Sequence, residues 1–148
     1  MRSIKRQLTY LAAFLVLSLV LGGCDDPLPT FMEVLEVEAG GYHLHLEPMP
    51  DHIHEGDAVV LQVAVHDESG AEEQPVTGLT PEFHIIESDG TETSYEGGSV
   101  TEPEDGHYQT EHTFTVPGEA EIGFHFTGTG GSASEAEFAI EISEAHDA

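Results

Sequence analysis

Ala58-Val59-Val60-Leu61-Gln62-Val63-Ala64-Val65-His66-Asp67 is the most strand-like run of the 148-residue chain. Val59, Leu61, Val63 and Val65 recur at a period of two, with Gln62 and His66 on the other parity, so the run predicts a central β-strand. Glu55-Gly56-Asp57 turns the chain into it. Downstream, Glu68 to Leu79 reads as a polar loop, and Glu82 to Glu87 returns to strand with Phe83 and Ile85 on one face and His84 on the other. Asp89-Gly90 is a hairpin signal leading to Thr91 to Tyr95. Glu104-Asp105-Gly106 turns into His107 to Val116, where Tyr108, Thr110, His112, Phe114 and Val116 share a face. Pro117-Gly118 turns into Ala120 to Thr127, with Ile122, Phe124 and Phe126 inward and His125 outward. A small-residue loop, Gly128 to Ser134, precedes a last strand whose inward residues are Phe138, Ile140 and Ile142. Upstream, Glu33 to Ala39 alternates as an edge strand ending at Gly40-Gly41. No stretch has helical periodicity. Seven or eight short strands at near-regular spacing predict an all-β chain, an immunoglobulin-like antiparallel β-sandwich. The disulfide and tryptophan of antibody domains are absent, so the prediction concerns architecture alone.

The N-terminus has a different character. Residues 1–23 contain the only basic residues, Arg2, Lys5 and Arg6, followed by an apolar run from Leu8 to Leu21. That run has 14 residues, short of the ~20 needed to span a bilayer, and reads as a secretory signal. Leu21-Gly22-Gly23-Cys24 resembles the bacterial lipobox, whose cysteine is lipidated after cleavage. Cys24 is the only cysteine in the sequence. The expected organisation is a lipoprotein signal peptide at 1–23, a lipid-anchored tether at 24–32 and a β-sandwich domain at 33–148. Lipidation would hold the domain outside the cytoplasm, in the periplasm or at the cell surface, with membrane contact through the anchor only. No thiol would remain for a disulfide, a metal ligand or catalysis.

From Cys24 onward the chain has 29 acidic residues, no lysine and no arginine, hence a formal charge of −29. Nothing basic is available to contact phosphates, which excludes nucleic acid and anionic lipid headgroups as partners. A salt-rich habitat or a need to attract cations would each account for the carboxylates. Neither the habitat nor the charge explains ten histidines.

Four of those histidines fall in Tyr42 to His54, YHLHLEPMPDHIH. In an extended strand His43 and His45 project to one side, while Tyr42, Leu44 and Leu46 project to the other, towards a core. After a Pro48-Met49-Pro50 corner, His52 and His54 repeat the spacing. The expected metal ligands are therefore His43, His45, His52 and His54, with Met49 a fifth for Cu(I). Imidazole suits copper or zinc, and a thioether suits Cu(I). Glu47, Asp51 and Glu55 are candidate ligands or orienting partners. Histidine is also an ordinary choice for a solvent-facing strand position. His84 and His125 face away from the apolar side of their strands, as members of a surface site or as polar surface. His112 lies on the apolar parity and reads as a satisfied, half-buried residue, and His66, His107 and His146 carry no spacing argument.

The combination of a lipoprotein signal, the Glu55 to Asp67 segment, Pro75-Val76-Thr77-Gly78-Leu79-Thr80-Pro81, and the Asp105 to Phe126 segment resembles the YtkA-like family of small extracytoplasmic domains. Related FixH-like proteins carry a similar domain on a membrane helix. The resemblance covers most of the chain after Cys24 and implies an immunoglobulin-like sandwich. Relatives are associated with copper handling and cytochrome oxidase assembly. The chain departs from the family pattern in having Gly123-Phe124 where a tryptophan often follows the Pro-Gly turn, and in its denser histidine segment.

No nucleophile elbow occurs, no glycine-rich phosphate loop with its lysine, and no lysine after Cys24 for a Schiff base. Zinc hydrolysis would need an open coordination position and a base such as Glu47 or Glu55. The sequence thus predicts a non-enzymatic, lipid-anchored binder of copper or zinc that buffers or delivers the ion. Its expected partners are the ion and another envelope protein, such as an oxidase-assembly or metal-transport component. The alternative is a metal-free acidic interaction module of a salt-adapted cell envelope.

Overall fold

Strand β4 (Ala58–Asp67) lies in the interior of the first sheet, as its alternation requires. The computed structural model describes residues 33–128 and 130–146, so the signal stretch 1–23, Cys24 and the tether 24–32 lie outside the described residues. No helix among those residues is long and apolar enough to cross a membrane. Around β4 are β1 (Glu36–Ala39), β2 (Tyr42–Met49), β8 (Thr101–Glu104) and β9 (His107–Thr113), in the order β1-β2-β4-β9-β8, with β5 (Gln74–Pro75) added to the far end of β4. The second sheet has the order β3-β11-β10-β6-β7, from β3 (Ile53–His54), β11 (Ala133–Ser143), β10 (Gly118–Thr127), β6 (Thr80–Ile86) and β7 (Glu92–Glu96). All pairings are antiparallel except the short one of β3 with β11. The result is the expected antiparallel sandwich of immunoglobulin-like architecture.

The predicted inward residues form its core. Leu44 and Leu46 from β2, Val59, Leu61, Val63 and Val65 from β4, Phe83 and Ile85 from β6, Ile122, Phe124 and Phe126 from β10, and Phe138, Ile140 and Ile142 from β11 are all buried. Phe124 sits at its aromatic centre, 5.1 Å from Phe83, 6.0 Å from Tyr108 and 5.6 Å from Phe126 between ring centres. The strands β3, β5 and β8 were not predicted. They are short, and β5 and β8 carry no buried residue, so they lack the apolar alternation by which a strand is read.

Asp105-Gly106-His107-Tyr108 builds a second fixed point. The Tyr108 hydroxyl donates to the Val76 carbonyl at 2.8 Å and accepts from the Leu79 N–H at 3.3 Å, tying β9 to the loop that leads into β6. A tyrosine that bonds back to upstream backbone in this way is a recurrent feature of immunoglobulin-like sandwiches. Gly106 permits the approach: its φ is 75°, and a Cβ there would stand 2.8 Å from Pro75 Cβ and 3.0 Å from the Val65 carbonyl oxygen.

Burial is the main cause that pushes the Tyr108 phenol up to about 12 from 10.0, against the opposing hydrogen bond from Leu79. Because the folded value lies above the unfolded one, the unfolded chain loses this proton first as pH rises. The associated stability is therefore present below about pH 10 and is lost between about 10 and 12. Urea unfolding followed across that window should show an alkaline decline that is shallower in Tyr108→Phe. An identical slope in both proteins would rule out Tyr108 as its source.

Candidate metal centre

The hairpin joining β1 to β2 turns on Gly40 and Gly41, with φ of 61° and 83°. Two successive positive φ values are what a tight hairpin turn requires and what glycine supplies without strain. A side chain at Gly40 would also collide with Ser134 of β11, so the tip is seated against the second sheet. This turn fixes the register, placing Glu38 directly opposite His43 and Glu36 opposite His45. Since Leu44 and Leu46 are buried, His43 and His45 stand on the outer face, half-buried.

Glu68, just past the end of β4, completes the arrangement. Ligand-capable atoms of Glu38, His43 and Glu68 all lie within 4.8 Å of one another. They line a cleft of about 360 Å³ together with the Gly40-Gly41 turn and Tyr42. Two carboxylates this close repel one another unless a cation lies between them. One imidazole nitrogen with two carboxylate oxygens is a donor set for zinc or Cu(II) and is harder than Cu(I) prefers.

Histidines of other strands stand on the same sheet face as His43. His66 of β4 is the direct cross-strand partner of His43, a relation that brings Cβ atoms to roughly 5 Å. Its Nδ1 lies 3.2 Å from Glu73 Oε1, which orients the ring and leaves Nε2 outward. His107 of β9 follows, with its ring centre 6.2 Å from that of His66 and its Nδ1 3.1 Å from the Asp105 carbonyl oxygen. His45 has Glu47 Oε1 at 3.8 Å from its Nδ1. Among these rings lies Ala64. Its cross-strand neighbours are His45 and His107, and His66 follows it on the same face. Although it points outward, Ala64 is 2 % exposed, covered by the side chains around it.

The expected set of ligands is therefore divided. His43 and His45 stay together, but the chain leaves the first sheet at the Pro48–Pro50 corner, and β3 joins the edge of the second sheet, where Ile53 turns inward. His54 stacks on His146 with ring centres 3.7 Å apart, its Nδ1 3.5 Å from Asp57 Oδ2, and His52 is exposed. Met49 ends β2, 47 % exposed and opposite Val60. It lies six residues from His43, roughly 20 Å along an extended strand. The corner separates what the linear spacing suggested would converge. Conversely, His66 and His107, for which spacing gave no argument, are brought to the His43 side by strand register.

A further polar group is buried between the sheets. Glu87, which follows β6, places Oε2 on the Thr115 N–H at 2.8 Å, the Thr115 hydroxyl at 3.0 Å and the Val116 N–H at 3.0 Å. Its Oε1 accepts from His112 Nε2 at 3.2 Å, and His112 Nδ1 lies 2.9 Å from the Tyr95 hydroxyl. With Nε2–H committed to the carboxylate, Nδ1 of a neutral His112 accepts from the phenol. Desolvation, with the nearby charges of Glu111 and Glu87, holds the Tyr95 phenol above its ordinary range, so it remains a donor. Each polar atom of this group that is shut away from water has a partner inside the fold, so the network ties the sandwich together. His112 is thus the satisfied buried histidine that its parity predicts. Glu87 was legible only as the next inward position after Phe83 and Ile85.

No protein-family model matches the chain, and no curated protein matches it. Among solved structures it is similar to CopC from Methylosinus trichosporium OB3b, at 12 % identity over 78 % of this chain and 98 % of that one, with a TM-score of 0.44. It is also similar to the PKD domain of the human VPS10 domain-containing receptor SorCS2, at 16 % identity over 88 % and 96 % of the two chains, with a TM-score of 0.40. Likenesses of this degree leave function to be argued from the residues.

Proposed function

We propose that this chain is a lipid-anchored, extracytoplasmic binder of divalent copper or zinc, centred on His43, which buffers the ion or delivers it to another envelope protein and is not a catalyst. The observation that carries this reading is the convergence of Glu38, His43 and Glu68 in one cleft. His66 is the nearest candidate for a fourth ligand, because it shares its cross-strand position with His43. A formal charge of −29 after Cys24 raises the local concentration of cations, and the imidazoles select among them. Two exposed carboxylates and a half-buried imidazole suit an ion that must leave again, unlike a closed structural zinc site. The signal stretch and Cys24 supply the anchor in this reading, and the YtkA-like resemblance is consistent with a metal-handling role.

The test is a competition titration of the detergent-solubilised protein with Cu(II) and Zn(II), in high salt so that diffuse attraction to carboxylates is screened. His43→Ala should weaken binding at least about tenfold, Glu38→Gln with Glu68→Gln should act in the same direction, and His52→Ala with His54→Ala should have no effect. Affinity unchanged by His43→Ala would refute the proposed centre. Absence of tight binding in the unmodified protein would leave the acidic interaction module as the reading to pursue.

A further inference from the structure

The outer face of the second sheet has its own pair of histidines, on adjacent strands. His84 of β6 lies opposite Gly123 of β10, and His125 follows Gly123 by two residues on the same face. Their ring centres are 6.4 Å apart with the rings nearly perpendicular. Two imidazoles sharing one ion stand roughly 5 to 6 Å apart between centres, given metal–nitrogen bonds of about 2.0 Å. At 6.4 Å the pair stands slightly wider than that, so a rotation of one partly exposed ring is needed to close both on one ion.

Gly123 explains how the rings approach. It has an ordinary strand conformation, so no positive φ demands glycine here. Glycine inside a strand weakens it and marks places where something must come close to the backbone. At this position that is the His125 ring, whose Nε2 would lie 3.3 Å from a Cβ at residue 123. The missing side chain lets His125 lie back over the sheet towards His84.

The partners of the His84 ring are those of a metal-binding imidazole. His84 Nδ1 lies 2.9 Å from Ser94 Oγ on β7. With Nδ1–H donating to that hydroxyl, the lone pair of Nε2 is free, and the ring is oriented by a second group, as metal-bound histidines are. Carboxylates stand beside both Nε2 atoms, Glu92 Oε2 at 4.0 Å from His84 and Glu135 Oε1 at 3.3 Å from His125. His125 and Glu135 also form part of the wall of a cleft of about 800 Å³, which gives an ion a path in.

We propose that His84 and His125, with Glu135 as an oxygen donor, form a second binding site for a divalent transition-metal ion such as Cu(II) or Zn(II), on the sheet opposite the His43 centre. Two imidazoles and a carboxylate are a stronger donor set for such ions than the single imidazole of the first centre. Neither site shares a residue with the other.

The deciding experiment counts tightly held Cu(II) per chain in the detergent-solubilised protein, by equilibrium dialysis in high salt and by electron paramagnetic resonance. Two equivalents are expected in the unmodified protein. His84→Gln and His125→Gln should each lose one equivalent together with its multi-nitrogen signal, while His43→Ala loses the other. Loss in the His84 and His125 variants alone would uphold this site and reject the first centre. An unchanged count in His84→Gln and His125→Gln would overturn the second site. In the unsubstituted protein, paramagnetic broadening of the His84 and His125 ring resonances at substoichiometric Cu(II) is the matching test, and broadening that spares both would overturn it equally.

Discussion

Replacing Glu87 with alanine should cost about 3 to 5 kcal/mol of folding stability, because one substitution removes the acceptor of four donors and each donor left unpaired away from water costs about 1 to 3 kcal/mol. In a domain whose total stability is about 5 to 15 kcal/mol, that is enough to lower Tm by roughly 10 to 20 °C. The reason is the number of donors that a single carboxylate satisfies. Its Oε2 holds two backbone N–H groups and a hydroxyl after β9, and its Oε1 holds the His112 ring. His112 belongs to the first sheet and Glu87 to the second, so the contact joins the two layers at one end of the sandwich. Substituting His112 with alanine removes one of these interactions and leaves the carboxylate with three donors, so its cost should be the smaller. Replacing both residues with apolar ones should not restore stability, because the N–H groups of Thr115 and Val116 would still have lost their acceptor. Urea denaturation of the three variants measures this ranking. Equal losses from Glu87→Ala and His112→Ala would show that the carboxylate serves the imidazole alone.

Phe124→Ala should have an effect of similar size, about 3 to 5 kcal/mol, through a different cause. The ring is fully buried and packs against Phe83, Tyr108 and Phe126, residues contributed by three strands and both sheets. Its removal forfeits the transfer free energy of the ring and leaves a cavity that rigid neighbouring strands cannot close. Phe124→Leu fills much of that space and should recover at least half of the loss. Phe124 lies between Gly123 and His125 in β10, on the opposite face. The variant therefore also separates fold from site: at a temperature where it remains folded, its Cu(II) stoichiometry should match that of the unmodified protein. A loss below about 1 kcal/mol would mean that the aromatic centre is not where the core carries its load.

The alternation of Val59, Leu61, Val63 and Val65 made the fold legible, because a strand buried on one face records its orientation in every second residue. His43 and His45 were legible for the same reason. Their companions were not. His66 lies 23 positions after His43 in the chain and meets it only through antiparallel register, which depends on where β2 and β4 begin to pair. Conversely, nothing local in Pro48-Met49-Pro50 states whether the chain continues along one sheet or crosses to the other. It crosses, and His52 and His54 go with it. Sequence spacing thus gives the face of a residue reliably, while its neighbours on that face come from pairing between distant segments. Gly123 illustrates the limit from the other side, since the absence of a side chain acquires meaning only once the His125 ring is seen above it.

The close nitrogen–carboxylate contacts among the described residues are His45–Glu47, His54–Asp57, His66–Glu73, His84–Glu92, His112–Glu87 and His125–Glu135, and in each the nitrogen belongs to an imidazole. Lysine and arginine would hold such charges through any ordinary change of pH. Imidazole gains and loses its proton around neutrality, and a ring that holds a proton on its metal-binding nitrogen cannot hold a metal there. Protons and metal ions therefore compete for the same ring nitrogens, and each ion taken up releases the protons it displaces. If the two proposed sites hold metal, the outer faces act as a weak-acid exchange resin folded from a single chain, which loads as its surroundings become alkaline and elutes as they acidify.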